Sequence, residues 1–194
     1  MKSILTVAIA AFLISGTLSA QHVNIGIKGG LNLYNVHTED QDAGDIKPGF
    51  NLGLLGHIHL AKQWAFQPEV VFSVQGTKSS IGELDSKLNL NYVNVPLLIQ
   101  YMFDNGFRIE AGPQIGFLAS AKAKVGNEDA VDVKDNFKSV EFGVGAGLSY
   151  VHPPSGVGVD VRYNLGLTNI TEDDDFVSTN QGFQIGLFYL FAHQ

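Results

Sequence analysis

Lys28, Glu69, Arg108, Glu110, Asp160 and Arg162 are ionisable residues set inside segments that otherwise alternate apolar with small or polar side chains. Three bases face three acids. Brought into one low-dielectric interior, such groups have to pair, because an unpaired buried charge costs several kcal/mol, roughly. The expected chemistry is therefore a compensated ion network. His57 and His59 stand two apart on one face and are the right residue types for a metal. No third ligand accompanies them, so they read as polar interior filling and no metal or cofactor is expected. "GVGAG" at 143–147 lies within a strand-like run and not before a helix, so it is no phosphate cradle. His152 and Ser155 share a segment shaped by Pro153 and Pro154 and read as turn residues, not as a base and its nucleophile. No catalytic group is expected.

The elements that carry these residues repeat one pattern. In "SVEFGVGAGLSYVHPPSGVGVDVRYNLGLTNI", 139–170, Val140, Phe142, Val144, Ala146, Leu148 and Tyr150 alternate with Glu141, Gly143, Gly145, Gly147 and Ser149. The chain turns and repeats this with Val157, Val159, Val161, Tyr163, Leu165 and Leu167. Period-two alternation makes two strands with chemically opposite faces. The same pattern predicts strands over 23–36, 48–60, 64–77, 88–103, 107–121 and 181–192, eight in all with the hairpin. In the fourth, Leu88, Leu90 and Tyr92 have the opposite parity to Val93, Val95, Leu97, Ile99, Tyr101 and Phe103, so a bulge near Tyr92–Asn94 is expected.

Connections 61–63, 104–106 and 152–156 are tight, whereas 37–47, 78–87, 122–138 and 169–180 are long and polar. In an up-and-down meander the tight turns fall at one end and the four long loops at the other, the asymmetry of an outer-membrane barrel. A soluble ligand-binding barrel with its apolar face inward shares the alternation. Two features favour lipid on the apolar face. Gly is frequent on the polar face, as a crowded eight-stranded interior requires. Trp64, Phe66, Tyr101, Phe103, Phe107, Tyr150, Tyr189 and Phe191 cluster beside the tight turns, as an interfacial aromatic girdle does. The fold class is all-β: an eight-stranded antiparallel up-and-down transmembrane β-barrel (21–194) behind a cleavable signal peptide (1–20), with Lys2, the apolar run Ile4–Ile14 and Leu18-Ser19-Ala20 as its parts.

The chain has 194 residues, a formal net charge of −7 and no Cys, which argues against nucleic acid as a partner and excludes disulfides and thiolate metal sites. "TEDDDF", 171–176, lacks the Gly and terminal Glu of a calcium loop and reads as a solvated acidic loop, or one bridged to lipopolysaccharide by divalent ions.

"WAFQPEVVFSVQGTK", "YVNVPLLIQY", "GPQIGFLASAK", "VEFGVGAGLSY" and "VDVRYNLGLTNI" resemble, in order and spacing, the PorT-type outer-membrane β-barrel domain family of Bacteroidota from about residue 22 onward. The resemblance implies an eight-stranded barrel in the cell outer membrane and little chemistry; the namesake is linked to protein secretion. Here the carboxy-terminal aromatic is followed by Ala192-His193-Gln194, a departure that bears on the barrel assembly machinery. The expected partners are outer-membrane lipid and lipopolysaccharide, that machinery during biogenesis, and a protein at the extracellular loops. The expected function is a non-enzymatic structural or surface-interaction role, with a small transport or secretion-accessory barrel as the alternative.

Overall fold

The structure is a computed structural model that describes residues 23–38, 44–81, 84–126, 128–173 and 177–191. The expected signal peptide, Asp174–Phe176 of the acidic loop and the terminal Ala192–Gln194 lie outside the described residues. The strands are β1 (Val23–Thr38), β2 (Asp45–Ala61), β3 (Trp64–Ile81), β4 (Leu84–Met102), β5 (Phe107–Val125), the two-residue β6 (Val131–Asp132), β7 (Val140–Val151), β8 (Val157–Gly166) and β9 (Ser178–Leu190). Each long strand pairs antiparallel with its neighbours, β1 with β9 and β4 with β5, so the eight form a closed ring β1-β2-β3-β4-β5-β7-β8-β9. Closure leaves no open edge, which lipid would not tolerate. β6 takes over from β7 along the same edge of β5, pairing through Lys122–Asp132 and Ala123–Val131.

The tight turns rest on glycine where the chain needs a positive φ: Gly106 at +92° and Gly156 at +70°. All three tight turns fall at one end, which in this architecture is periplasmic. At the other end the expected long loop 78–87 is instead a continued hairpin, with Ser79–Ser86 and Ile81–Leu84 paired. A strand leaving the membrane keeps its backbone pairing when both faces carry polar residues, so polarity alone did not mark a loop.

The expected bulge in the fourth strand is also displaced. β4 keeps one parity throughout, and the irregularity lies opposite it on β5, where Asn91–Ser120 is followed by Tyr92–Leu118 and Ala119 is skipped. Leu88, Leu90 and Tyr92 point inward because this part of the barrel stands in water, where the apolar side belongs inside.

Pro68, Pro96 and Pro113 stand at gaps in adjacent ladders. Between β3 and β4 the pairs pass from Pro68–Leu97 to Val71–Asn94, and between β4 and β5 from Pro96–Gln114 to Ile99–Ala111. The β2–β3 ladder skips from Leu55–Glu69 to Ile58–Phe66 beside Pro68. Proline has no N–H to donate, so these gaps form a diagonal seam across β2–β5.

Candidate functional site

Alternation turns Lys28 of β1, Glu69 of β3, Glu110 of β5 and Asp160 and Arg162 of β8 into the lumen, where all are buried. Arg162 reaches across from β8: its Nη1 and Nη2 donate to Glu69 Oε2 and Oε1 at 3.0 and 2.9 Å, a bidentate pair. Its Nε and Nη2 donate to Glu110 Oε1 at 2.9 and 2.6 Å. Lys28 Nζ lies 3.3 Å from Glu69 Oε2 and 3.4 Å from Asp160 Oδ1. Gln67 donates to Glu69 Oε1, which also accepts from Arg162, and Gln100 donates to Glu110 Oε2, both at 2.7 Å. In the ring β8 stands opposite β3, so the Arg162–Glu69 pair spans the lumen from wall to wall. Arg108 stands apart: it is buried beside Ser149 on β7 and makes no ion pair among the described residues.

Toward the loop end the lumen is filled by amides and hydroxyls. Asn32 donates to Ser73 Oγ at 2.9 Å, Asn51 to Asn32 Oδ1 at 2.8 Å, and Asn164 to Tyr34 Oη at 2.7 Å. Asn180 reaches across to Gln75, whose carbonyl accepts from Lys47 Nζ at 2.9 Å. Two apolar layers bound this polar column. At the outer mouth Val36, Leu90, Tyr92, Leu118, Ala121 and Ile170 pack together, with Leu88, Val133 and Phe137 against them. Ile170 comes from the β8–β9 connection, which is tied by its N–H to Ser178 O at 2.9 Å and by its C=O to Lys138 N–H at 2.8 Å. At the periplasmic mouth Leu55, Val151, Phe188 and Leu190 pack together. The Phe188 ring lies over Gly158, where a Cβ would meet it at 2.2 Å, so a larger residue there would have to push the ring aside.

His57 and His59 stack edge to face at 4.7 Å, and no set of three metal-type ligands occurs among the described residues. His152 Nδ1 lies 3.0 Å from Ser155 Oγ, but that hydroxyl also accepts from the Val157 N–H at 3.3 Å, the bonding of a turn.

On the outer wall the apolar face is bare: Leu31, Leu52 and Leu187 are 65, 64 and 63 % exposed. The girdle residues lie beside the tight turns and stack, Trp64 on Tyr101 at 5.2 Å, Tyr101 on Phe103 at 5.0 Å, Phe107 on Tyr150 at 5.1 Å and Tyr189 on Phe191 at 5.2 Å. Phe66 shares this face, paired with Ile99. A second belt escaped the sequence reading: Phe50, Phe72, Phe117, Phe142, Tyr163 and Phe183 project outward nearer the loops. The signal was present as aromatics of the same parity eight or ten residues farther along, Trp64 to Phe72 and Phe107 to Phe117. With strand rise and tilt, that spacing separates the belts by about 20–25 Å, the height of a barrel's apolar band. An apolar exterior and a packed polar interior invert the arrangement of a soluble ligand-binding barrel.

Comparison with known proteins agrees. A family model described as "Outer membrane protein beta-barrel domain" matches residues 19–172. The fold is similar to that of Ail, the attachment invasion locus protein of Yersinia pestis, with TM-score 0.55 and 16% identity over 87% of this chain and 98% of that one. Ail in complex with the heparin analogue sucrose octasulfate is matched at 0.53 and 19% identity, over 88% and 99%. Neisserial surface protein A is matched at 0.53 and 14% identity, over 89% and 100%. No curated protein matches the chain by sequence.

Proposed function

The chain belongs to the outer membrane protein β-barrel domain family and lies in the outer membrane, and from this premise we propose that it is a non-conducting, non-enzymatic barrel whose interactions are made by its extracellular end. The observation that carries the reading is the Arg162–Glu69 pair, which crosses the full lumen between an inner and an outer apolar layer. An interior of eight strands is only wide enough for side chains, and here ion pairs and amides fill it. Among the described residues, the surface presented to a partner is the outer wall at the extracellular end and the exposed stretch Glu128–Asp132. The Ail neighbour, an attachment protein captured with a heparin analogue, is a precedent for surface interaction on this fold. The secretion-accessory reading rests on the PorT-type resemblance alone. Purified protein in a planar bilayer is expected to give no steady single-channel current. Reproducible channels from the unaltered chain would overturn the closed lumen and favour transport.

A further inference from the structure

Lys78, Lys87 and Lys124 are direct cross-strand neighbours: β3 pairs Lys78 with Lys87, and β4 pairs Lys87 with Lys124. Paired residues share a face, and Gln75, Leu90 and Ala121, paired and buried three rungs below, fix the inward parity of these strands, so the lysines stand outward in one row across three strands, all exposed. Lys122, also exposed, stands one outward rung below and opposite Asn89. Like charges placed directly opposite one another destabilise a sheet. Among the described residues, the acids paired with this patch are Asp45, opposite Lys78 at one end of the row, and Asp132, opposite Lys122. Lys87, at the centre, has a lysine on each side. Within a chain of net charge −7, this is a concentrated cationic strip.

Its height identifies its partner. Lys78 is six residues beyond Phe72 of the outer aromatic belt, which strand rise and tilt convert to about 15 Å above the apolar band. The strip faces sideways, into the layer that surrounds the barrel, and not upward from the loop tips. We propose that Lys78, Lys87, Lys122 and Lys124 form a docking strip for the phosphate and carboxylate groups of lipopolysaccharide standing in the outer leaflet beside the barrel. Closely spaced ammonium groups bind such anions as point charges, and the bound anions relieve the repulsion along the row. The inference rests on the outer-membrane placement and is independent of whether the lumen conducts.

The test uses the full-length folded barrel in phosphatidylcholine vesicles with and without lipopolysaccharide. The readout is lipopolysaccharide binding, and the unfolding midpoint followed by the gel shift between folded and heat-unfolded barrel. Lipopolysaccharide is expected to raise the midpoint of the unaltered protein, and the combined variant K78Q/K87Q/K124Q to lose that rise and about a hundredfold in affinity. In phosphatidylcholine alone the variant should be as stable as the parent, or more so, which shows that it folds. K78R/K87R/K124R should keep the binding. Soluble sucrose octasulfate or inorganic phosphate should compete only weakly. A midpoint rise that survives in the Gln variant, or is absent from the unaltered protein, would overturn the proposal. Binding of the soluble anions as tight as that of lipopolysaccharide would assign the strip to a free polyanion instead.

Discussion

The middle of the lumen and its outer mouth solve the same problem with opposite chemistry. In the middle, Lys28, Glu69, Glu110, Asp160 and Arg162 are held in ion pairs. At the mouth Val36, Leu90, Tyr92, Leu118, Ala121 and Ile170 form an oily lid. The difference follows from what surrounds the wall. Within the membrane the outer face must be apolar, so the inner face receives the polar set, and polar groups without water must satisfy one another. Above the membrane the outer face meets water, and the inner face can collapse as an ordinary hydrophobic core. An ion network stabilises only while complete; an apolar cluster degrades gradually.

The largest test breaks the network. Arg162→Ala leaves Glu69 and Glu110 buried without their shared partner and should cost about 3–5 kcal/mol, read by urea titration of the folded barrel in lipid vesicles. Replacing the charges together, as Arg162→Met with Glu69→Gln and Glu110→Gln, should recover most of that loss. If the single and triple variants were equally unstable, uncompensated buried charge would not be the source of the loss.

A neighbouring position sharpens the contrast between inside and outside. Val161 precedes Arg162 and points to lipid, so Val161→Arg places on one side of the wall the side chain the other side requires. Near the bilayer midplane it should cost about 2–4 kcal/mol. Unchanged insertion and stability of this variant would mean that the two faces are reversed.

The smallest effect belongs to the lid. Ile170→Ala should cost about 2 kcal/mol, since the site lies at a mouth that can partly collapse. It should also raise protease cleavage in the 126–139 and 167–177 connections without disturbing the membrane segment. Equal loss from Ile170→Ala and Arg162→Ala would erase the distinction between the two regions.

How much of this was legible in the sequence depends on the solvent around each segment. Strands inside the membrane obey one rule from end to end, so Val140–Tyr150 and Val157–Leu165 could be assigned by parity alone. The rule inverts where the wall emerges. Leu88, Leu90 and Tyr92 therefore looked like a register error, although they are the ordinary inward face of a strand standing in water. The ion network was visible as a group of charges on a face of mostly small and polar residues, which carries Lys47 and Glu141 nearer the loops. Which carboxylate each cation meets was not, because Arg162 and Glu69 are brought together by ring closure across 93 residues of chain. Arg108, of the same type and face, stands on the rung of Ser149 and Asp160 but makes no ion pair among the described residues, a difference that parity alone does not reveal.

The proline seam gives the cylinder unequal stiffness around its circumference. The ladders β1–β2, β7–β8, β8–β9 and the closing β1–β9 run without interruption, from Gly26–Leu190 to Thr38–Ser178 in the last case. The ladders from β2 to β5 do not. One arc thus has a complete set of ladder hydrogen bonds and the other a gapped set, which on physical grounds is the softer of the two against lateral pressure from the bilayer. Lys28 and Arg162 stand on the stiff arc, whereas Glu69 and Glu110 stand on the compliant one. The ion pairs act as tie rods between the two, and the cross-section stays round because its soft side is braced from within.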